Sequence, residues 1–418
     1  MQMKTIGTTK PKALAFSNSP TDLELRTARI FLSPLAPMSC NSVSGENAAL
    51  AKSLLAFKAK ADAENVSDLV GFLNDFPQSR WRASLECILG QMRLEAGYFT
   101  EALNYWTSSW EIAKDETELK SKSVADEAIS RLIGLYGRLG EQDVLAKFLR
   151  DIEGRKFYGS VDSRVQGAKT QLAQMRARPE ICFKCGPAAL HVLAQSNEEL
   201  KANARKIIGN AHSTHRGTNL AQLSNWAKQI GFDYVAARRV GAAPVVAPCL
   251  VHWKVGHFAA VVAQHGNSFT IKDLTFGSAG TFKVSAQALE SESDNYFLIP
   301  KSELKNGWEL VSDADAANVW GKGISPERGN AQTPSCPSTP SNPPSCGMAQ
   351  SAAFTMQASL TINDIPLSYQ PPIGSAIQFL ANYNYLTIGQ PSPGSFTFSN
   401  LGPNWSLNWV SYVQAASP

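Results

Sequence analysis

Absences bound this chain before any motif does. Its seven cysteines are scattered along 418 residues rather than set in a regular frame, so the fold does not rest on a disulfide scaffold. No apolar run approaches the roughly eighteen residues that a membrane-spanning helix needs. Basic residues number 39 and acidic ones 35, a net charge of +4, and so small an imbalance gives no case for a nucleic-acid partner. No Gly-x-x-x-x-Gly-Lys-Ser/Thr loop is present to cradle nucleotide phosphates. Met1-Gln2-Met3-Lys4 is followed by no apolar core, so no standard secretory signal is visible. What is there, 44% apolar and 18% charged residues, is ordinary globular composition in a chain too long for one core, which predicts two or three domains.

Periodicity predicts an α+β chain in five parts. Residues 1–46 hold Ser, Thr and Pro without a repeat, and Ile30-Phe31-Leu32 is broken by Pro34 and Pro37, the pattern of an irregular leader. Residues 47–178 are helical: apolar side chains recur at three and four, as in Leu50, Leu54, Leu55 and Phe57, then Leu69, Phe72 and Leu73. Within them, Leu85 to Trp106 resembles a tetratricopeptide unit, with Gly97 at the turn and Ala102 where two helices approach. Ala128 to Leu149 resembles a second, degenerate unit. Such a region serves either as a scaffold or as a peptide-holding groove. Residues 179–302 begin with helices, the third over Asn219 to Ile230, and end in short strands near 232–236, 248–253, 257–263, 268–274 and 296–299. Residues 303–352 form a Pro/Ser-rich linker, with Cys336 and Cys346 ten residues apart and able to pair only in an oxidising compartment. Residues 353–418 alternate as strands, with turns expected at Pro366, Pro371-Pro372 and Gly374.

Chemistry concentrates around Cys185. Cys185-Gly186-Pro187 followed by Ala188-Ala189-Leu190 reads as a helix N-terminus, since proline fits a first-turn position. A thiol there meets unpaired N–H groups and the positive end of the helix dipole, which favour the nucleophilic thiolate. A base and an orienter are available in a hairpin of two strand-like runs, His257 to Ala263 and Ser268 to Leu274, joined through His265-Gly266-Asn267. A three-residue loop, 265–267, pairs residue 264 with 268, sets Asp273 opposite Ala259 and leaves His257 its diagonal neighbour on the same face. A two-residue loop puts the two side chains on opposite faces and removes the dyad.

These residues also carry a resemblance. CGPAAL, then HWKVGHF, then an aspartate sixteen residues after the histidine, resemble the double-glycine, bacteriocin-processing cysteine peptidases, a papain-like family. Gly217 to Leu223 and Trp226 to Phe232 are similar to the same family's middle segment, and the likeness spans roughly residues 179–300. The resemblance implies a papain-like fold that cleaves peptide bonds, with Cys185 as nucleophile, His257 as general base and acid, and Asp273 as orienter. It implies a peptide or protein substrate, with the Cys185 N–H serving part of the oxyanion hole, and it calls for no cofactor and no metal; Gly186 and Trp253 are candidate substrate-binding residues, Trp253 either lining the cleft or packing in the core. One position departs: six residues before the cysteine the family carries a glutamine as oxyanion donor, and here stands Pro179, with Gln171 and Gln174 nearby but out of register. Related enzymes cut after Gly-Gly, a pair this chain does not contain, so no self-cleavage at that consensus is expected. The ending Phe398 to Trp409 resembles the opening of RHS/YD-repeat proteins, which are secreted or surface β-shells. That likeness implies a secreted or cell-surface setting, a downstream shell as partner and a longer product.

Rival readings accompany these. His252 is a second candidate base, five residues before His257. Cys182-x-x-Cys185 is a possible redox pair or half of a zinc site, but no second pair completes it. His212 and His215 sit in a polar loop, Cys249 in an apolar strand, and Asp233 and Asp294 have no partnered context. Two other functions stay open: an inactive peptidase-like domain that binds a peptide or partner, and a structural cap on the shell.

Overall fold

The computed structural model describes residues 14–60, 62, 64–209, 211, 213–276, 280–305, 307–324, 350–354, 359–369, 377–384 and 405–407. Residues 306 and 325–349 of the expected linker 303–352, with Cys336 and Cys346, His212, and all of the RHS-like ending except 405–407 lie outside them. The chain forms two compact units: residues up to Met92 together with Tyr105–Ala125, and Arg93–Asn104 together with Asp126 onward.

The first unit is helical. Helices Glu46–Lys60, Ser67–Asp75 and Arg82–Glu95 bury Leu50, Leu54, Leu69, Phe72 and Leu85 in one apolar core, joined by Trp81 from the turn before the third helix. The leader departs from its expected irregularity. Thr21 and Glu24 close a capping box at the start of helix Asp22–Thr27, and Leu25 and Leu35 are buried in that same core. The Thr-x-x-Glu signal was present in the sequence; the prolines downstream obscured it.

The second unit is built on a seven-stranded antiparallel sheet. From edge to edge its strands are Thr281–Ser285, Ser268–Lys272, His257–His265, Cys249–Trp253, Ser293–Pro300, Tyr234–Arg239 and Trp308–Leu310. The expected linker boundary at 302 is therefore too early. Trp308 adds an edge strand, and Asp313–Ala316 forms a helical turn capped by Ser312. Both faces of the sheet are covered. Leu250, Phe258, Ala260 and Leu298 meet helices Cys185–Ala194, Glu198–Ile208 and Leu220–Ile230. Val251, Trp253, Ala259, Val261 and Phe297 pack with Phe99, Phe269 and Leu289 on the other side. Alternation along Leu250-Val251 and Phe258-Ala259 assigns each face, as the period of two requires. Helix Leu220–Ile230 starts where expected because Asn219 and Gln222 form a capping box.

Within the described part of residues 350–407, four antiparallel strands lie in the order Gln350–Phe354, Ser359–Tyr369, Ile377–Asn384 and Trp405–Leu407. Pro366, expected at a turn, lies inside a strand where the register shifts between Asp364 and Leu367. A residue without an N–H is tolerated at such an irregularity.

Phe99 anchors the aromatic cluster beneath the hairpin. Its ring lies 5.4 Å from Trp253 and 5.5 Å from Phe276, and Phe276 meets His257 edge-on at 6.1 Å. Phe99→Ala is expected to destabilise this unit by about 3–5 kcal/mol, the range for emptying a buried aromatic site, read as a lower urea midpoint.

Candidate active site

The hairpin delivers its two side chains by a route the sequence did not reveal. His265 pairs with Ser268, so the loop is Gly266-Asn267, two residues rather than three. Gly266 takes φ 58°, the left-handed backbone that the first position of a tight hairpin turn requires. In a regular ladder that loop would set Asp273 opposite Ala260. Instead the register shifts between Val261 and Ala263, after which Val261 pairs with Ile271 and Ala260 with Lys272. The bulge adds one residue to one strand, and by continuation Asp273 falls opposite Ala259, on the face of His257. His257 Nε2 and Asp273 Oδ2 lie 2.6 Å apart, both residues buried. The other carboxylate oxygen accepts the Thr275 N–H at 2.9 Å, and the Asp273 N–H donates to the Gly280 carbonyl at 2.7 Å.

Cys185 opens helix Cys185–Ala194 and is buried. Burial alone would lower the His257 pKa. The Asp273 carboxylate and then the Cys185 sulfur outweigh it and hold the imidazole well above its ordinary range. The ring is anchored through Nε2, while Nδ1 is buried without a well-formed hydrogen bond, on the side of Cys185 and Gly323. An imidazole fixed by a carboxylate, with its second nitrogen turned to a thiol at a helix N-terminus, is equipped to take and return a proton.

A strap of the same chain covers these groups. Trp320–Gly321 pairs antiparallel with Thr218–Asn219. Beyond it the Lys322 N–H donates to the Gly256 carbonyl at 3.0 Å, and the Ile324 N–H to the Arg138 carbonyl at 2.8 Å. Between them the Cys185 N–H donates to the Gly323 carbonyl at 3.1 Å. A side chain has no room there. A Cβ on Gly323 would fall 2.0 Å from His257 Nδ1 and 3.0 Å from Cys185 Cβ, and one on Gly321 2.5 Å from Phe258 and 3.2 Å from Cys185 Sγ.

The other candidates are placed as follows. His252 is tied through Nδ1 to Asp294 at 2.5 Å and through Nε2 to the Trp320 carbonyl at 2.8 Å. Both its nitrogens are committed to holding the strap, and Asp294 thereby acquires a partner. The two candidate substrate-binding residues both lie in the core, the second of the two places expected for Trp253. Trp253 is fully buried against Phe99, and Gly186 is buried where a Cβ would fall 2.8 Å from Leu223. Cys182 is a buried thiol, not joined to Cys185, and Cys249 is buried in its strand. His215 is exposed. Among the described residues, no group of three His, Cys, Asp or Glu side chains is arranged to hold a metal. Pro179 opens the four-residue helix Pro179–Cys182 and has no side-chain donor to offer, while Gln171 lies against Gly137. The strap itself escaped sequence reading. Its only signal was Gly321-Lys322-Gly323 after an aromatic residue, inside a segment read as linker.

Residues 183–305 match the model of the Peptidase C39 family. Among solved structures, the chain is similar to a double glycine motif protease from an AMS/PCAT transporter in complex with its leader peptide, at 20% identity and TM-score 0.24, covering 28% of this chain and 83% of that one. It is also similar to the N-terminal peptidase C39 like domain of a toxin secretion ATP-binding protein from Vibrio parahaemolyticus, at 9% identity and TM-score 0.23, covering 30% and 97%. No curated protein matches the chain. Among the described residues, no helix is long and apolar enough to cross a membrane.

The raised His257 pKa fixes the sign of a pH effect. In the unfolded chain a histidine titrates near 6.5, so the stability drawn from the charged pair is complete below about pH 6.5 and drains away as pH climbs toward the folded value. The urea midpoint of this unit is expected to fall from neutral to alkaline pH. Asp273→Asn should lower it at pH 6 and flatten that slope.

Proposed function

We propose that the second unit is a cysteine peptidase. Cys185 is the nucleophile, His257 its general base and later general acid, and Asp273 the group that fixes the imidazole's tautomer and direction. The observation that carries this reading is the buried Asp273–His257 contact of 2.6 Å, which leaves Nδ1 turned to Cys185. The Cys185 thiolate attacks a peptide carbonyl, and the Cys185 N–H, already donating to a carbonyl in this position, stabilises the oxyanion. His257 passes its proton to the departing amine, and water then hydrolyses the thioester. The match of residues 183–305 to the Peptidase C39 family supports the same reaction class. The substrate is a peptide, whether a leader or a segment of an RHS-type secreted protein. The helices of residues 47–178, read as tetratricopeptide-like, serve as scaffold.

One feature favours a second reading, a non-catalytic module that holds a peptide. Pro179 stands where a side-chain oxyanion donor is expected, and losing one such donor costs about two to three orders of magnitude in rate.

Thiol reactivity separates the two. In a Gly323→Val chain the added carbons and the His257 and Cys185 side chains cannot share the same space, so the strap can no longer lie as it does against the thiol, while the exposed Cys40 serves as an internal reference. With iodoacetamide at pH 6–7 and mass-spectrometric site identification, Cys185 is expected to alkylate at least about tenfold faster than Cys40. Adding His257→Ala should erase that advantage. Equal rates for Cys185 and Cys40 would leave only the binding module.

A further inference from the structure

The strap is bound as a substrate would be. A peptide added along an edge is recognised through its backbone, with pockets or their absence selecting side chains. Here backbone bonds hold the strap on both sides: Asn219 and Thr218 pair with Trp320 and Gly321, Gly256 receives the Lys322 N–H, and Arg138 receives the Ile324 N–H. His252, braced by Asp294, holds the Trp320 carbonyl, and the Arg216 guanidinium lies 4.6 Å over the Trp320 ring. The carbonyl presented to the nucleophile's own N–H is that of Gly323. An attacked carbonyl oxygen has to sit at that donor. The two residues nearest the dyad are glycines at positions where a Cβ would strike His257, Phe258 or Cys185. A strap serving only as a lid would need neither a carbonyl in the oxyanion position nor two bare α-carbons.

We propose that the Gly323–Ile324 peptide bond is a substrate of this site in the same chain, so that the protein cuts itself there; the inference rests on the cysteine peptidase reading. His257 Nδ1 takes the Cys185 proton, and the sulfur adds to the Gly323 carbonyl carbon. The C–N bond to Ile324 breaks, and the Ile324 nitrogen receives the proton from His257 and leaves as a new α-amine. A water molecule, deprotonated by His257, then adds to the thioester, releasing a Gly323 carboxylate and restoring the thiol. One water is consumed and nothing is oxidised. The cut separates residues 1–323 from residue 324 onward. It needs no Gly-Gly pair, because the site excludes side chains at Gly321 and Gly323 while Lys322 lies between them. The same geometry defines the substrate class in trans: an extended peptide with glycine at the attacked carbonyl and glycine two residues before it.

The test is the mass and the new termini of the purified full chain after incubation at neutral pH in oxygen-18 water. The expected result is a fragment ending at Gly323 with one labelled carboxylate oxygen and a fragment beginning at Ile324, formed at a rate independent of protein concentration. Cys185→Ser, which changes one atom, and Gly323→Ala should both leave the chain whole, and near-ultraviolet circular dichroism shows whether each is folded. A wild-type chain that stays whole overturns the proposal. If Cys185 in the Gly323→Val chain still outpaces Cys40, the peptidase reading survives and the strap is an uncut plug; if it does not, both fall together. A cut at 323–324 that persists in Cys185→Ser assigns the cleavage to another protease and also overturns it.

Discussion

Everything around the site serves one contact, the buried carboxylate of Asp273 against the imidazole of His257. Neither group belongs in an apolar interior alone, since an unpaired buried charge is costly and neutralises instead. Together they are tolerated, and the Thr275 N–H takes up the second carboxylate oxygen. The aromatic cluster of Phe99, Phe276 and Phe282 keeps the pair dry and its geometry narrow. A thiol brought to the other side of that ring by a helix start without a side-chain cap then meets an imidazole already aimed.

Packing on both faces of the sheet makes this arrangement rigid. The strand His257–His265 is buried over its first five residues, between the helix that carries Cys185 and the layer that carries Phe99. Cys185 and His257 therefore sit on regular elements rather than on loops, the better platform for holding a fixed geometry. The strap adds a third, sequence-distant component, and through His252 and Asp294 it is tied to the same sheet.

How much of this could be read beforehand differs from residue to residue. Cys185 stands out because proline and glycine punctuate a helix start, whereas strand alternation brings His257 and Asp273 to one face only on a three-residue loop that the hairpin does not have. The loop length was not legible: His265-Gly266-Asn267 suits a two- or three-residue turn, and the bulge that decides the matter lies in Val261-Val262-Ala263, where nothing in the side chains announces it. His252 and His257 have similar neighbours in sequence; only the tertiary partners Asp294 and Trp320 distinguish them. Trp253 suits cleft or core by sequence, and only its packing against Phe99 decides for the core. The strap and the docked leader were hidden by composition, since Pro- and Ser-rich flanks suggest irregular chain even where a short segment is fastened by backbone bonds to residues far off in sequence.

The bulge at Val262 has a consequence for how this hairpin can vary. Which face Asp273 shares with His257 depends on the combined parity of loop and strand, not on either alone. A turn lengthened by one residue keeps the two side chains on one face only in a hairpin that has lost its bulge, and a lost bulge leaves them there only where the turn has grown. Single insertions and deletions are thus individually forbidden and jointly silent, so the hairpin changes length in coupled steps while both of its reactive ends keep their place.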